Sequence, residues 1–156
     1  MNHRYRLQRL MADLERPLLV TSLTNIRYLT GFTGSNAYLY VQPDRATFLT
    51  DGRYGEIAEE LLADLDQTVL SVYRRGLYDA IAELFDGSKS VDLEVEHLSW
   101  KEKRALAQRF AGDLLPCSGI VESYRSVKDE EEAEALSAAA AAGDRAFSTL
   151  TELAER

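Results

Sequence analysis

The chain is 156 residues long, carries 46% hydrophobic and 28% charged residues, and has a formal net charge of −8. That length holds one domain, or one domain with an appendage, and no apolar run approaches the roughly 20 residues that span a bilayer. The acidic balance needs no basic face, which argues against a nucleic-acid partner, and the lack of a long apolar run argues against a membrane partner.

The basic start, Met1-Asn2-His3-Arg4-Tyr5-Arg6, is followed by no apolar stretch of the kind a secretory signal carries. Cys117 stands alone and forms no internal disulfide, which fits a reducing, cytoplasmic location. Leu7, Leu10, Met11 and Leu14 fall at i, i+3, i+4 and i+7 and predict a helix over 3–15. Pro17 ends it and opens Leu18-Leu19-Val20, a short buried strand. Thr24 is placed to cap a helical turn that runs to Tyr28. A loop follows, Gly31-Phe32-Thr33-Gly34-Ser35, whose glycines suit backbone turns that a side chain would obstruct.

Residues 37–41 and 46–49 are strand-like and are separated by Gln42-Pro43-Asp44-Arg45, so they predict a β-hairpin. Thr50-Asp51-Gly52-Arg53-Tyr54 is a tight strand-to-helix corner. Ile57, Ala58, Leu61, Leu62 and Leu65 share one face of a helix over 53–65, and residues 68–73 form another strand. Leu77, Ala80, Ile81, Leu84 and Phe85 make a second helical stripe that Gly87 is placed to end. Val91, Leu93 and Val95 alternate with polar residues and predict a strand with one face buried.

Ser99-Trp100-Lys101-Glu102 has the capping-box form, so a helix is expected from Ser99 to about Phe110, ended by Gly112. Leu114-Leu115 is a short last strand closed by Pro116. Strands alternating with helices, plus one hairpin, predict an α/β domain with a mixed sheet of about six strands and flanking helices.

Residues 128–156 differ from the rest, with eight acids against Lys128, Arg145 and Arg156. Asp129 is placed to cap a helix, and acids in its first turn suit the positive end of the helix dipole. Small or apolar residues fall at 133, 136, 140, 143, 147, 150 and 154, a thin heptad seam weakened at Gly143 by roughly 1 kcal/mol relative to alanine. This pattern fits an amphipathic helix on its own domain. It fits better a connecting helix whose packing partner lies beyond Arg156, where the chain stops without a cap.

The richest stretch chemically is 25–54. His3 and His97 stand far apart and no Cys or His cluster has ligand spacing, so no metal ligand and no catalytic residue is expected in this chain. Cys117 reads as a small buried residue, and nothing local lowers its pKa. Gly31-Phe32-Thr33-Gly34-Ser35 is neither a nucleophile elbow nor a phosphate loop. Two readings of the corner stay open. Asp51 and Arg53 form a local ion pair at the helix start, or Arg53 turns its planar fork toward a carboxylate at the loop.

Three stretches together carry a likeness. Asn25-Ile26-Arg27-Tyr28-Leu29-Thr30-Gly31-Phe32-Thr33-Gly34-Ser35-Asn36-Ala37, then Leu49-Thr50-Asp51-Gly52-Arg53-Tyr54, then Tyr124-Arg125-Ser126-Val127-Lys128-Asp129-Glu130-Glu131 resemble, in that order, signatures of the N-terminal domain of the creatinase/prolidase family. The resemblance implies a ribonuclease H-like α/β domain over 1–127 and a connecting helix over 128–156 that leads to an absent catalytic domain. In full-length members that second domain holds two divalent metal ions (manganese, cobalt or zinc) and cleaves Xaa-Pro bonds. No cofactor is implied in this chain.

By the same resemblance the partners are the catalytic domain of its own chain, a second subunit of a homodimer, and a proline-containing peptide. The domain would restrict substrate size and aid dimer assembly. The residues implied at the partner subunit's pocket are Tyr28, Phe32, Thr33, Ser35, Asn36 and Arg53. Two alternatives share the fold: a stand-alone peptide- or protein-interaction module, and the N-terminal half of a creatinase-like small-molecule hydrolase.

Overall fold

The computed structural model describes residues 2–154. Met1, Glu155 and Arg156, which the assignments above place at the start of the domain and the end of the tail helix, lie outside the described residues. The chain separates into two compact units, one of residues 2–122 and one from Ser123 onward.

The larger unit contains α1 (His3–Asp13), β1 (Leu18–Val20), α2 (Leu23–Thr30), β2 (Ala37–Val41), β3 (Ala46–Asp51), α3 (Gly55–Leu62), β4 (Thr68–Tyr73), α4 (Leu77–Leu84), β5 (Ser90–Glu94), α5 (Trp100–Ala107) and β6 (Asp113–Cys117). The strands form one mixed sheet in the order β4-β3-β2-β1-β5-β6. Pro43-Asp44 turns β2 back on β3, with Leu39 opposite Phe48, and β1 is antiparallel to β2, with Leu19 opposite Tyr40. The β3–β4, β1–β5 and β5–β6 pairs are parallel. Such pairs need long crossovers, and α3 and α5 supply two of them.

Alternation sends Leu19, Tyr40, Leu49, Val91 and Leu93 to one face of the sheet, where they cluster with Ile81 and Phe85 of the α4 region and Leu106 of α5. Leu18, Val20, Leu39, Val41 and Phe48 point the other way and are fully buried. The helices contribute Leu7, Leu10, Ile26, Leu29, Ala58 and Leu62 to the buried set.

Several local expectations shift. Ser22, not Thr24, caps α2, accepting from the Asn25 N–H, and the helix runs on to Thr30. Ile57 is exposed, because Ala58, Leu62 and Leu65 set the buried stripe of α3 and Ile57 lies at its margin. β5 is buried on both faces rather than one, since it lies between β1 and β6 under helices on either side, and Val95 falls outside it and is exposed. Pro116 lies inside β6 instead of closing it; β6 is a sheet edge, where a missing N–H is tolerated. A short helix α6 (Ile120–Ser126), which the sequence pattern did not indicate, follows β6. Among the described residues no helix is long and apolar enough to cross a membrane.

The second unit is dominated by α7 (Glu130–Ala154). The Asp129 carboxylate accepts from the Glu132 N–H at 2.9 Å, and Glu132 accepts from the Asp129 N–H at 3.1 Å, a reciprocal cap at the predicted start. Leu136, Phe147, Leu150 and Leu153 are all exposed on α7.

Candidate functional site

The stretch 25–54 is held at its start by a buried carboxylate. Glu94 at the end of β5 is only 4% exposed. Its Oε2 accepts the N–H groups of Thr21 (2.7 Å) and Ser22 (2.8 Å), and its Oε1 accepts Asn25 Nδ2 at 2.6 Å. Asn25 Nδ2 also donates to Glu122 Oε1 at 2.7 Å. The turn into α2 is thus tied to the end of an internal strand of the sheet. Asp92, one pleat earlier, is buried as well and accepts from Arg16 Nε at 3.1 Å.

At the other end of α2, Gly31 takes φ +82° and its N–H donates to the Arg27 carbonyl at 2.8 Å. A left-handed residue here stops the helix, and glycine bears it without a Cβ penalty. Thr30 Oγ1 donates to the Ile26 carbonyl and accepts the Phe32 N–H. Phe32 then turns inward. It is 3% exposed, with its ring edge-on to Phe48 (5.0 Å between centroids) and to Tyr54 (5.4 Å). Gly34 closes over that ring: a Cβ there would lie 2.3 Å from the Phe32 Cζ.

The loop is joined to the corner after β3 by hydrogen bonds. Tyr54 Oη accepts the Ser35 N–H at 3.2 Å and shares a 2.8 Å bond with Ser35 Oγ, which holds the phenol below its ordinary pKa. Asn36 Nδ2 donates to Asp51 Oδ2 (2.5 Å) and to Tyr73 Oη (2.6 Å), and Thr50 Oγ1 donates to the Asn36 carbonyl. Asp51 also accepts the Arg53 N–H (2.9 Å), Nε (3.0 Å) and Nη2 (2.7 Å). The Arg53 guanidinium first, and the Asn36 amide second, hold the Asp51 carboxyl well below the usual carboxylate range. Of the two open readings of this corner, the local ion pair is the one formed. Nε and Nη2 of Arg53 are committed to Asp51, and Nη1 lies outside that pair.

Five of the six pocket residues named from sequence therefore belong to one construction. Ser35 meets Tyr54, Asn36 and Arg53 meet Asp51, Phe32 underpins the loop, and Thr33 is exposed at its tip. Tyr28 belongs to a different contact: Arg6 lies 4.2 Å over its half-buried ring, and its carbonyl accepts from His3 Nδ1 at 3.0 Å. Glu94, Asn25 and Tyr73 were missed as positioning groups. A signal existed for Glu94, since a strand in the middle of a parallel array must bury its alternate residues even when they are acids.

No nucleophile is poised here. The Ser35 hydroxyl is engaged by Tyr54, and burial pushes the Cys117 thiol up to about 12. His97 stands 3.9 Å from Glu122. Among the described residues no group of three or more His, Cys, Asp and Glu side chains could hold a metal ion. A separate apolar groove of about 300 Å³ lies between β5, β6 and α5, lined by Leu93, Val95, Leu98, Trp100, Leu114 and Pro116, with Lys103 5.0 Å from the Trp100 ring.

Residues 4–127 match the sequence family described as the creatinase/prolidase N-terminal domain. An uncharacterized peptidase of Bacillus subtilis, YqhT, is 31% identical over 133 residues, 83% of this chain and 37% of that one. An Xaa-Pro dipeptidase structure from Bacillus anthracis superposes with a TM-score of 0.89 at 25% identity, covering 97% of this chain and 44% of that one. Two isolated N-terminal domains are also similar. One is from a putative metallopeptidase of Corynebacterium diphtheriae (TM-score 0.66, 31% identity, 76% of this chain and 98% of that one). The other is from the cytoplasmic peptidase PepQ of Mycobacterium tuberculosis (TM-score 0.66, 30% identity, 77% and 98%). The chain thus spans less than half the length of the Bacillus subtilis and Bacillus anthracis relatives.

Proposed function

The chain belongs to the creatinase/prolidase N-terminal domain family, and from that premise we propose that it is the non-catalytic N-terminal domain of a cytoplasmic Xaa-Pro metallopeptidase. Its roles are to restrict substrate size and to assist dimer assembly. One observation carries the reading: the superposition on the Bacillus anthracis dipeptidase extends over 97% of this chain yet takes up only 44% of that enzyme. The remaining part of such a protein would hold the two divalent ions, manganese, cobalt or zinc, and perform the cleavage. Within this chain the loop tip (Thr33, Ser35) and the outer edge of Arg53 face a proline-containing peptide across the subunit boundary. Phe32 and Asn36 hold that rim in place, and Tyr28 supports it from α2. Dipeptidase and aminopeptidase specificity both fit this half.

The test has two parts. The purified 156-residue chain, supplied with Mn²⁺, is expected to release no proline from an Xaa-Pro dipeptide; metal-dependent release would overturn the reading. In the protein encoded by the full reading frame, Arg53→Ala and Thr33→Trp are expected to change KM for dipeptides and tripeptides unequally while leaving kcat for the best substrate nearly unchanged. Equal KM changes for both lengths would remove the size-restriction role.

A second reading is favoured by the exposed apolar residues of α7, Leu136, Phe147, Leu150 and Leu153. On it the chain is a stand-alone module that binds a partner helix. A reading frame that stops after Arg156 would select it, and one that continues into a domain with two Asp, one His and two Glu ligands would remove it. A creatinase-like hydrolase shares the first architecture and differs in substrate.

A further inference from the structure

The sheet has two open edges, and they are treated differently. β6 carries Pro116, which has no N–H to offer a neighbouring strand. β4 at the other edge reads Thr68-Val69-Leu70-Ser71-Val72-Tyr73: six residues, no charge, no proline, and three with β-branched side chains. Val69 is 58% exposed and Val72 41% exposed. These two side chains point to opposite faces of the sheet by alternation, so each face keeps one residue open to solvent at this strand, although α3 comes close to Val72 at Gly55. An uncharged, proline-free edge strand of this kind is a template for another strand.

We propose that β4 pairs antiparallel with β4 of a second copy of this chain about a two-fold axis, joining two six-stranded sheets edge to edge. The charge flanking the strand selects a second copy over an unrelated peptide. Asp64 and Asp66 precede β4, Arg74 and Arg75 follow it, and all four are exposed. Antiparallel self-pairing sets the acidic end of one copy beside the basic end of the other, twice.

A two-fold axis perpendicular to the sheet keeps every side chain on its own face, so opposed residues must be separated by an even number along the sequence. With the axis at Leu70, Thr68 faces Val72 and Val69 faces Ser71, while Asp66 in the turn before the strand and Arg74 in the bend after it bring opposite charges together at each end of the seam. Asp66 also pairs within its own chain with Arg4, and a carboxylate can accept from both. A six-residue seam is small beside the roughly 1,600 Å² of a stable interface, so the dimer is weak, with Kd on the order of 10 µM. The pairing is independent of the peptidase reading, although it would supply an edge for the dimer proposed there.

Sedimentation equilibrium of the 156-residue chain, over roughly 1 to 300 µM, tests it. A monomer–dimer equilibrium is expected, and Val69→Lys, at an exposed site, abolishes it in that range. Asp66→Arg and Arg74→Asp each weaken the dimer by about tenfold, and the double variant D66R/R74D restores it. Arg4→Gln leaves it unchanged, which separates the intermolecular role of Asp66 from its pair within the chain. A monomer throughout, a dimer that survives Val69→Lys, or a double variant as weak as the singles overturns the proposal. If Val69→Lys unfolds, the charge-exchange set decides alone. Each overturning result leaves the Xaa-Pro peptidase reading standing, since that rests on the superposition on the dipeptidase and is tested by KM in the protein encoded by the full reading frame.

Discussion

Removing the Glu94 carboxylate is expected to be the most damaging single change near the candidate site that leaves its exposed residues untouched. Glu94→Ala strips the acceptor from the Ser22 N–H and from Asn25 Nδ2, both buried, and from the partly buried Thr21 N–H. A buried donor left without an acceptor costs about 1–3 kcal/mol; Asn25 Nδ2 keeps Glu122, so the two backbone N–H groups together cost about 2–6 kcal/mol, before any allowance for the space vacated. Whole domains are stable by only about 5–15 kcal/mol, so the variant stands close to unfolding. At about 2–4 °C per kcal/mol for a chain of this size, Tm falls by roughly 4–24 °C. Glu94→Gln separates charge from geometry. Its single carbonyl satisfies one side of the hub and turns an NH₂ toward donors on the other, a loss of about 1–3 kcal/mol. Urea titration followed by circular dichroism, with Glu122→Gln as a control that touches the outer arm of Asn25 and the 3.9 Å approach of His97 but not the two N–H groups, ranks the three. A Glu94→Ala variant within about 1 kcal/mol of the wild type would refute the hub.

Asp51 titrates lower in the folded chain than in the unfolded one, so its contribution is present above the ordinary carboxylate range near 4 and is lost as pH falls below it. The Tm of Asp51→Asn should therefore lie below wild type at pH 7, and the gap should narrow steadily as pH falls below about 4 without closing by pH 3; a constant gap would contradict the ion pair with Arg53. Gly34→Ala drives a Cβ to 2.3 Å from the Phe32 ring and 2.8 Å from Tyr54, so the loop must shift; a loss of about 1–3 kcal/mol and altered Tyr54 fluorescence are expected. Thr68 Oγ1 is buried without a hydrogen-bond partner, and Thr68→Val, which keeps the shape, should be neutral or stabilise the chain by about 1 kcal/mol in urea titration.

Most of the scaffold was legible because its periods are clean. The stripes of α1 and α4, the hairpin, the capping box at Ser99 and the Asp129 cap all appear where the pattern sets them. The errors share a cause, which is that local pattern does not contain neighbours. Val91-Asp92-Leu93-Glu94 reads as a strand with a wet face only until β1 and β6 lie on either side of it. Ser22 and Thr24 are equally good caps as residues, and Glu94, more than seventy positions away, favours Ser22 by gripping the N–H groups of the turn itself. The glycines around Phe32 mark turns but not where its ring goes, and the slot between Phe48 and Tyr54 draws it inward. The Asp51–Arg53 pair spans two residues and was visible as an option, but its locking partner Asn36 comes from the preceding strand connection.

The burial of Phe32 changes what the proposed rim can contribute. A loop hinged on two glycines would ordinarily pay ordering entropy when it meets a ligand. Here Gly31 is fixed as a helix stop, Gly34 lies over a ring that cannot move without leaving Phe48, and Ser35 and Asn36 are each tied to a different residue of the β3–α3 corner. Arg53 is in turn laid flat by two hydrogen bonds to Asp51, which fixes the direction in which its remaining nitrogen points. An assembly so constrained does not adapt to varied ligands; it excludes by shape. That behaviour suits size restriction better than induced recognition. It also means that loosening the loop from beneath, at Phe32 or Gly34, would blur a length limit more than replacing an exposed hydroxyl at Thr33.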